Sequence, residues 1–127
     1  MSVTGFATIV SLAVAGMAGG AERFLWNYGP PVVEARAAGG WDWVSMKDPS
    51  IVRHGDEWHL FCTVRGPQRS HAIVYLRFSE FSEANRVERH VLSCHPGYFC
   101  APQVFYFTPH KKWYLICQAA DEAWGEP

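Results

Sequence analysis

From Ser50 onward this chain is a succession of short β-forming runs separated by turn residues, and that pattern constrains its fold more than any other feature. Ser50 to His54 leads through Gly55-Asp56 into Glu57 to Val64. Two apolar runs around a Gly-Asp pair predict a β-hairpin. Arg65 to Ser70 reads as a polar loop, and His71 to Phe78 then alternates, with Ala72, Val74, Leu76 and Phe78 on one face. Period two predicts a half-buried strand there. Phe81 to Arg89 is polar with scattered apolar residues and has room for a helical turn. Tyr98 to Phe107 holds the dense β-former run Val104-Phe105-Tyr106-Phe107; Thr108 to Lys112 turns the chain, and Trp113 to Gln118 returns. No segment supports a long helix. The expected class is all-β, with strands at short intervals.

Two of these hairpins repeat one another. His54-Gly55-Asp56-Glu57-Trp58-His59-Leu60-Phe61 parallels Pro109-His110-Lys111-Lys112-Trp113-Tyr114-Leu115-Ile116, with Trp58 and Trp113 standing 55 residues apart. A period near that value, with about four short strands in each unit, is the sequence pattern of propeller blades.

The N-terminus reads differently. Met1 to Ala21 carries no charged side chain, and Phe6 to Met17 is an apolar run followed by Ala18-Gly19-Gly20-Ala21. That run has the length of a secretory h-region with a small-residue cleavage zone, and it is too short to span a bilayer. Residues 1–21 are therefore expected to be an export signal, leaving residues 22–127 as the secreted part. The 11 Lys+Arg against 12 Asp+Glu give a net charge of −1. A balance so close to neutral leaves no electrostatic footprint for nucleic acid or an anionic membrane. Aromatics make up 15% of the chain and charged residues only 18%. The apolar surface this supplies excludes intrinsic disorder.

Cys62, Cys94, Cys100 and Cys117 form an even set in an exported chain, which allows three disulfide connectivities. Cys94 and Cys100 could close a short loop, whereas Cys62 and Cys117 sit inside apolar runs and read as buried thiols. Zinc through Cys94, His95 and Cys100 fits no standard spacing. The histidines 54, 59, 71, 90, 95 and 110 form no metal pattern either. His59 and Cys62 are three apart in a strand, which points them to opposite faces. No metal or cofactor is called for.

The segment Trp41-Asp42-Trp43-Val44-Ser45-Met46-Lys47-Asp48-Pro49-Ser50 is the candidate for chemistry. Pro49 is expected to hold Asp48 extended and, lacking a ladder donor, to make the strand begin after it. That would fix a carboxylate at a strand mouth with Lys47 alongside. Trp41 and Trp43 are candidates for a sugar-stacking platform, while Trp58 and Trp113 read as core.

Lys47-Asp48-Pro49-Ser50-Ile51-Val52, the Gly55 turn, and Ala101-Pro102-Gln103-Val104-Phe105-Tyr106-Phe107-Thr108-Pro109 followed by Lys112-Trp113-Tyr114-Leu115 resemble glycoside hydrolase family 62. Val74 to Phe78 with Phe81 to Ala84 is similar to that family's intervening segment, and Phe24-Leu25-Trp26 with Gly29-Pro30 to its start. The Lys-Asp-Pro-Ser tetrad would also suit the related family 43; the Ala101 to Phe107 run argues against it. The resemblance covers Phe24 to Gln118.

It implies a secreted α-L-arabinofuranosidase that removes arabinose side chains from arabinoxylan, on a five-bladed β-propeller that is monomeric when complete. Asp48 would be the general base of an inverting mechanism, and Lys47 and Gln103 would contact the arabinose. The family's general acid, a glutamate on a later blade, and the aspartate that tunes it have no counterpart here. Asp121, Glu122 and Glu126 stand in no matching context. Five blades of about 40–50 residues need over 200 residues, so the chain is expected to hold about the first two. The expected state is a partial propeller, unstable or aggregation-prone alone and inactive. The alternative from another class is a secreted carbohydrate-binding β-sandwich with Trp41 and Trp43 as its platform.

Overall fold

The computed structural model describes residues 27–120 of the chain. The export-signal reading of residues 1–21, Phe24 to Trp26, and Asp121, Glu122 and Glu126 lie outside them.

Six strands follow in order: β1 (Ser45–His54), β2 (Glu57–Arg65), β3 (Ala72–Phe78), β4 (His90–Val91), β5 (Phe99–Phe107) and β6 (Lys112–Ala119). The first four form an antiparallel meander in the order β1-β2-β3-β4, and β5 and β6 form a second, two-stranded sheet. The all-β expectation holds, and so do both hairpins and the intervening strand. The β1–β2 turn closes on the pair His54↔Glu57, with Gly55 at φ +60. A two-residue hairpin of this hand needs positive φ at its first central residue, which glycine adopts without a steric cost. Phe81–Glu83 forms the expected helical turn, a single 3₁₀ turn. Thr108–His110 forms another, with Lys111 left-handed behind it.

Alternation along β2 divides the first sheet into two faces. Trp58, Leu60, Cys62 and Val64 lie opposite Phe78, Leu76, Val74 and Ala72 of β3, and these residues form the main core face. Trp43, Ala84 and the partly buried Val33, Ala38, Trp41 and Val87 cover it. Arg89 holds that cover in place by donating to the Glu34 carbonyl and to Asn85 Oδ1. The opposite face carries Ser50, Phe61, Thr63 and Ile73, and against it packs β5. Ile73, predicted to face away from the core stripe, is therefore fully buried as well. Alternation shows only that β3 has two faces; the second sheet buries the other.

All four cysteines are free: Cys62 and Cys100 buried, Cys117 partly buried, Cys94 exposed. The suggested Cys94–Cys100 bridge is not formed. Burial raises the Cys62 thiol from 9.0 to about 11. A folded-state value above the unfolded one leaves the native chain holding more protons between those limits, so this contribution to stability is lost as pH rises from 9 toward 11. The thiolate is the nucleophile. Iodoacetamide at pH 8 should therefore alkylate Cys94 in the native protein and reach Cys62 only after denaturant is added. Mass mapping of alkylated peptides checks this.

Candidate active site

Asp48 and Pro49 together face a single position of the neighbouring strand. Lys47 pairs with Thr63 and Ser50 with Phe61, so three steps on β1 match two on β2 and Cys62 lies opposite the insertion. This is a β-bulge, a device that re-aims a side chain out of a sheet. It corrects two expectations. The strand starts at Ser45 and runs through Pro49. Asp48 is not extended but left-handed, at φ +50. Pro49 costs the ladder a donor only where the bulge already breaks it. Aspartate tolerates the left-handed region better than most residues, yet such a conformation still costs on the order of 1–3 kcal/mol and recurs at functional sites.

The second sheet repeats the device. Cys100 pairs with Gln118 and Gln103 with Ile116, leaving Ala101 and Pro102 opposite Cys117, with Ala101 at φ +51. The repeat anticipated from the two tryptophans therefore extends to the X-Pro bulge and to the cysteine facing it. Two hydroxyl side chains of the first sheet seat this second bulge. The Ala101 N–H donates to Thr63 Oγ1 at 2.8 Å, and the Val104 N–H to Ser50 Oγ at 2.9 Å. Thr63 is 0% exposed and Ser50 6%. Sequence reasoning gave neither hydroxyl a role: Thr63 stood inside an apolar run, and Ser50 only as the last residue of the Lys-Asp-Pro-Ser tetrad. Thr63→Val keeps the shape and removes the acceptor of the part-buried Ala101 N–H, a loss of about 0.5–1.5 kcal/mol. The Ala101 amide should exchange measurably faster in that variant, by NMR-detected hydrogen exchange.

The Asp48 carboxylate is 39% exposed, and Lys47 Nζ stands 4.0 Å from its Oδ2. Cys62, His71 and Tyr98 lie within its electrostatic reach. His71 packs edge-on to Tyr98 at 4.8 Å, and its buried Nδ1 has no hydrogen-bond partner. Burial lowers the affinity of this imidazole for a proton; Lys47 and then Arg65 act in the same sense, and Asp48 opposes them. The arrangement is a solvent-reachable carboxylate at a fixed backbone kink, with an ammonium group beside it and an aromatic pair nearby. A carboxylate so placed can take a proton from water. Among the described residues, no cluster of three or more His, Cys, Asp or Glu side chains could hold a metal ion.

Lys47 and Asp48 are thus brought together, while Gln103 is exposed on β5, between the two bonds that seat the second bulge. The tryptophan expectations are partly overturned. Trp43 is 4% exposed, and its Nε1–H donates to the Ala38 carbonyl at 3.1 Å. Trp41 packs beside it with ring centroids 6.4 Å apart. A ring that closes the core offers no face to a sugar, so Trp43 drops out of the platform that the binding-module reading used. Trp113, expected in the core, is 42% exposed.

No protein-family model matches the chain. α-L-Arabinofuranosidase C of Cellvibrio japonicus is 35% identical over 96 residues, 75% of this chain and 15% of that protein. Among the solved structures that match, three are 33–36% identical to this chain. The catalytic domain of the Coprinopsis cinerea family-62 α-L-arabinofuranosidase has a TM-score of 0.62 over 69% of this chain and 28% of its own. A family-62 hydrolase solved with xylotriose has a TM-score of 0.60, covering 70% of this chain and 27% of its own. The Podospora anserina α-L-arabinofuranosidase solved with cellotriose also scores 0.60, over 69% and 28%. The chain spans less than a third of the length of each of these relatives. Over that span it resembles the catalytic domains of family-62 α-L-arabinofuranosidases.

Proposed function

We propose that this chain supplies the base-bearing part of an arabinofuranosidase domain that removes α-L-arabinofuranosyl side chains from arabinoxylan with inversion. The observation that carries this reading is Asp48, presented on a strained bulge with Lys47 at 4.0 Å, in a chain 33–36% identical to family-62 catalytic domains. Asp48 takes a proton from a water molecule, and the water oxygen bonds to the anomeric carbon. The bond from that carbon to the xylan oxygen breaks as a second carboxyl group protonates the leaving oxygen. Inversion needs those two carboxyls about 6.5–9.5 Å apart, with the water between one of them and the sugar. The acid is not supplied by any motif of this chain. Lys47 and Gln103 are assigned to the bound arabinose. Residues 22–127 then form the N-terminal part of a propeller, the two sheets its first two blades of five, and residues 1–21 an export signal. The four-stranded meander and the second hairpin packed on its face support that arrangement.

A chimera tests the reading. Residues 27–120 replace the matching segment of the Podospora anserina enzyme, which provides the remaining blades. The expected result is release of free arabinose from arabinoxylan. A folded chimera with no release would contradict the assignment.

A further inference from the structure

The strand pairings carry a polar band outward from Asp48, on the sheet face that receives β5. Lys47 pairs with Thr63 and Thr63 with Ile73; one row nearer the strand ends stand Ser45, Arg65 and, just before β3, His71. Residues two apart on a strand share a face, so Lys47, Arg65 and His71 lie on the same one. Two strand spacings, about 10 Å, separate β1 from β3. His71 is therefore placed to meet the polymer that carries an arabinose held at Asp48, rather than the arabinose itself. Its ring is fixed edge-on to Tyr98 at 4.8 Å. Tyr98 is anchored in turn: Cys100 Sγ donates to its hydroxyl at 3.2 Å and the Ala120 N–H to its carbonyl at 3.1 Å, while Arg69 holds the His95 and Gly97 carbonyls just before it.

The two ring nitrogens of His71 are not equivalent. Nδ1 is buried with no partner among the described residues, whereas the side chain as a whole is only half-buried, which leaves Nε2 on its open edge. A buried N–H without an acceptor is costly, so the single proton of the neutral ring belongs on Nε2. Burial, then Lys47 and Arg65, keep the ring from taking a second proton, with Asp48 opposing them. We propose that His71 is a substrate-positioning residue for the polymer backbone: its Nε2–H donates to a hydroxyl of the xylose chain that carries the arabinose, beside the wall made by the Tyr98 ring. A pentose chain is uncharged and dense in hydroxyls, and a neutral donor pairs with it without the desolvation cost of a full charge. This inference deepens the arabinofuranosidase reading and rests on it.

Two measurements test it. Xylotriose, which carries no arabinose, should shift the His71 Hε1 resonance of the purified 127-residue chain saturably in an NMR titration. No shift at His71 would overturn the proposal, and so would an equal shift produced by free arabinose. The second measurement uses the chimera. His71→Phe keeps a ring against Tyr98 but has no donor, whereas the amide of His71→Gln carries an N–H about where Nε2 stands. KM for arabinoxylan should rise about 3–10-fold in His71→Phe, the usual worth of one hydrogen bond, with kcat close to the parent's. The ratio of that KM to the KM for 4-nitrophenyl α-L-arabinofuranoside, which has no xylose chain, should rise by the same factor, and His71→Gln should restore most of it. An equal change on both substrates, or no recovery in His71→Gln, would overturn the proposal and leave His71 a packing residue. A parent chimera that releases no arabinose would count against the Asp48 reading, while the xylotriose titration still decides the role of His71.

Discussion

Asp48→Asn in the chimera is expected to reduce arabinose release by about 10²–10⁴-fold, the usual worth of a positioned acid–base group. Asparagine has the shape of aspartate and tolerates the left-handed conformation that the bulge imposes at φ +50. The backbone should therefore keep its course, and the loss should fall on turnover with KM little changed. Losing the pair with Lys47 should matter little to stability, since both side chains are substantially exposed and such pairs are worth about 0–1 kcal/mol. Circular dichroism and melting of the variant should match the parent. Retained turnover would show that another group activates the water.

Phe99→Ala should have the largest effect on stability. The ring is fully buried at the start of β5, where the second sheet meets the first. The Arg69 guanidinium lies 5.5 Å from its centroid, and the same side chain donates to the carbonyls of His95 and Gly97. Deletion would leave a cavity under that loop and loosen the seat of the second bulge. Phenylalanine-to-alanine changes in a core cost about 3–5 kcal/mol. At roughly 4–8 °C per kcal/mol for a domain of 60–100 residues, the melting midpoint should fall by more than about 10 °C. A thermal scan followed by circular dichroism reads this directly, and a shift of only a degree or two would contradict the packing described.

Much of this fold was legible because its signals are local. The Gly55-Asp56 pair, the alternation from Ala72 to Phe78 and the polar turn before Trp113 each fix an element from a few neighbouring residues. The hidden features depend on residues far apart in the chain. Nothing near Ile73 says that a second sheet will bury it, and nothing near Thr63 says that its hydroxyl will accept from Ala101, 38 residues on. Trp43 was read as a stacking candidate because it flanks Asp42 just before the Lys47-Asp48-Pro49 segment, yet long-range packing turned it into the core. At Asp48 the local rule misled. A residue before proline is normally pushed toward extended angles, but the bulge, set by β1–β2 pairing, overrides that preference. Asp48 and Lys47 were found from motif resemblance; their backbone geometry was not.

The account assigns this chain one carboxylate of a two-carboxylate site, and the activity of the purified 127-residue chain on arabinoxylan tests that claim most directly. With Asp48 present and no matched acid, free arabinose measured over a long incubation should not exceed the buffer control. Sustained release that disappears in Asp48→Asn would contradict the account, because the chain would then hold both halves of the site.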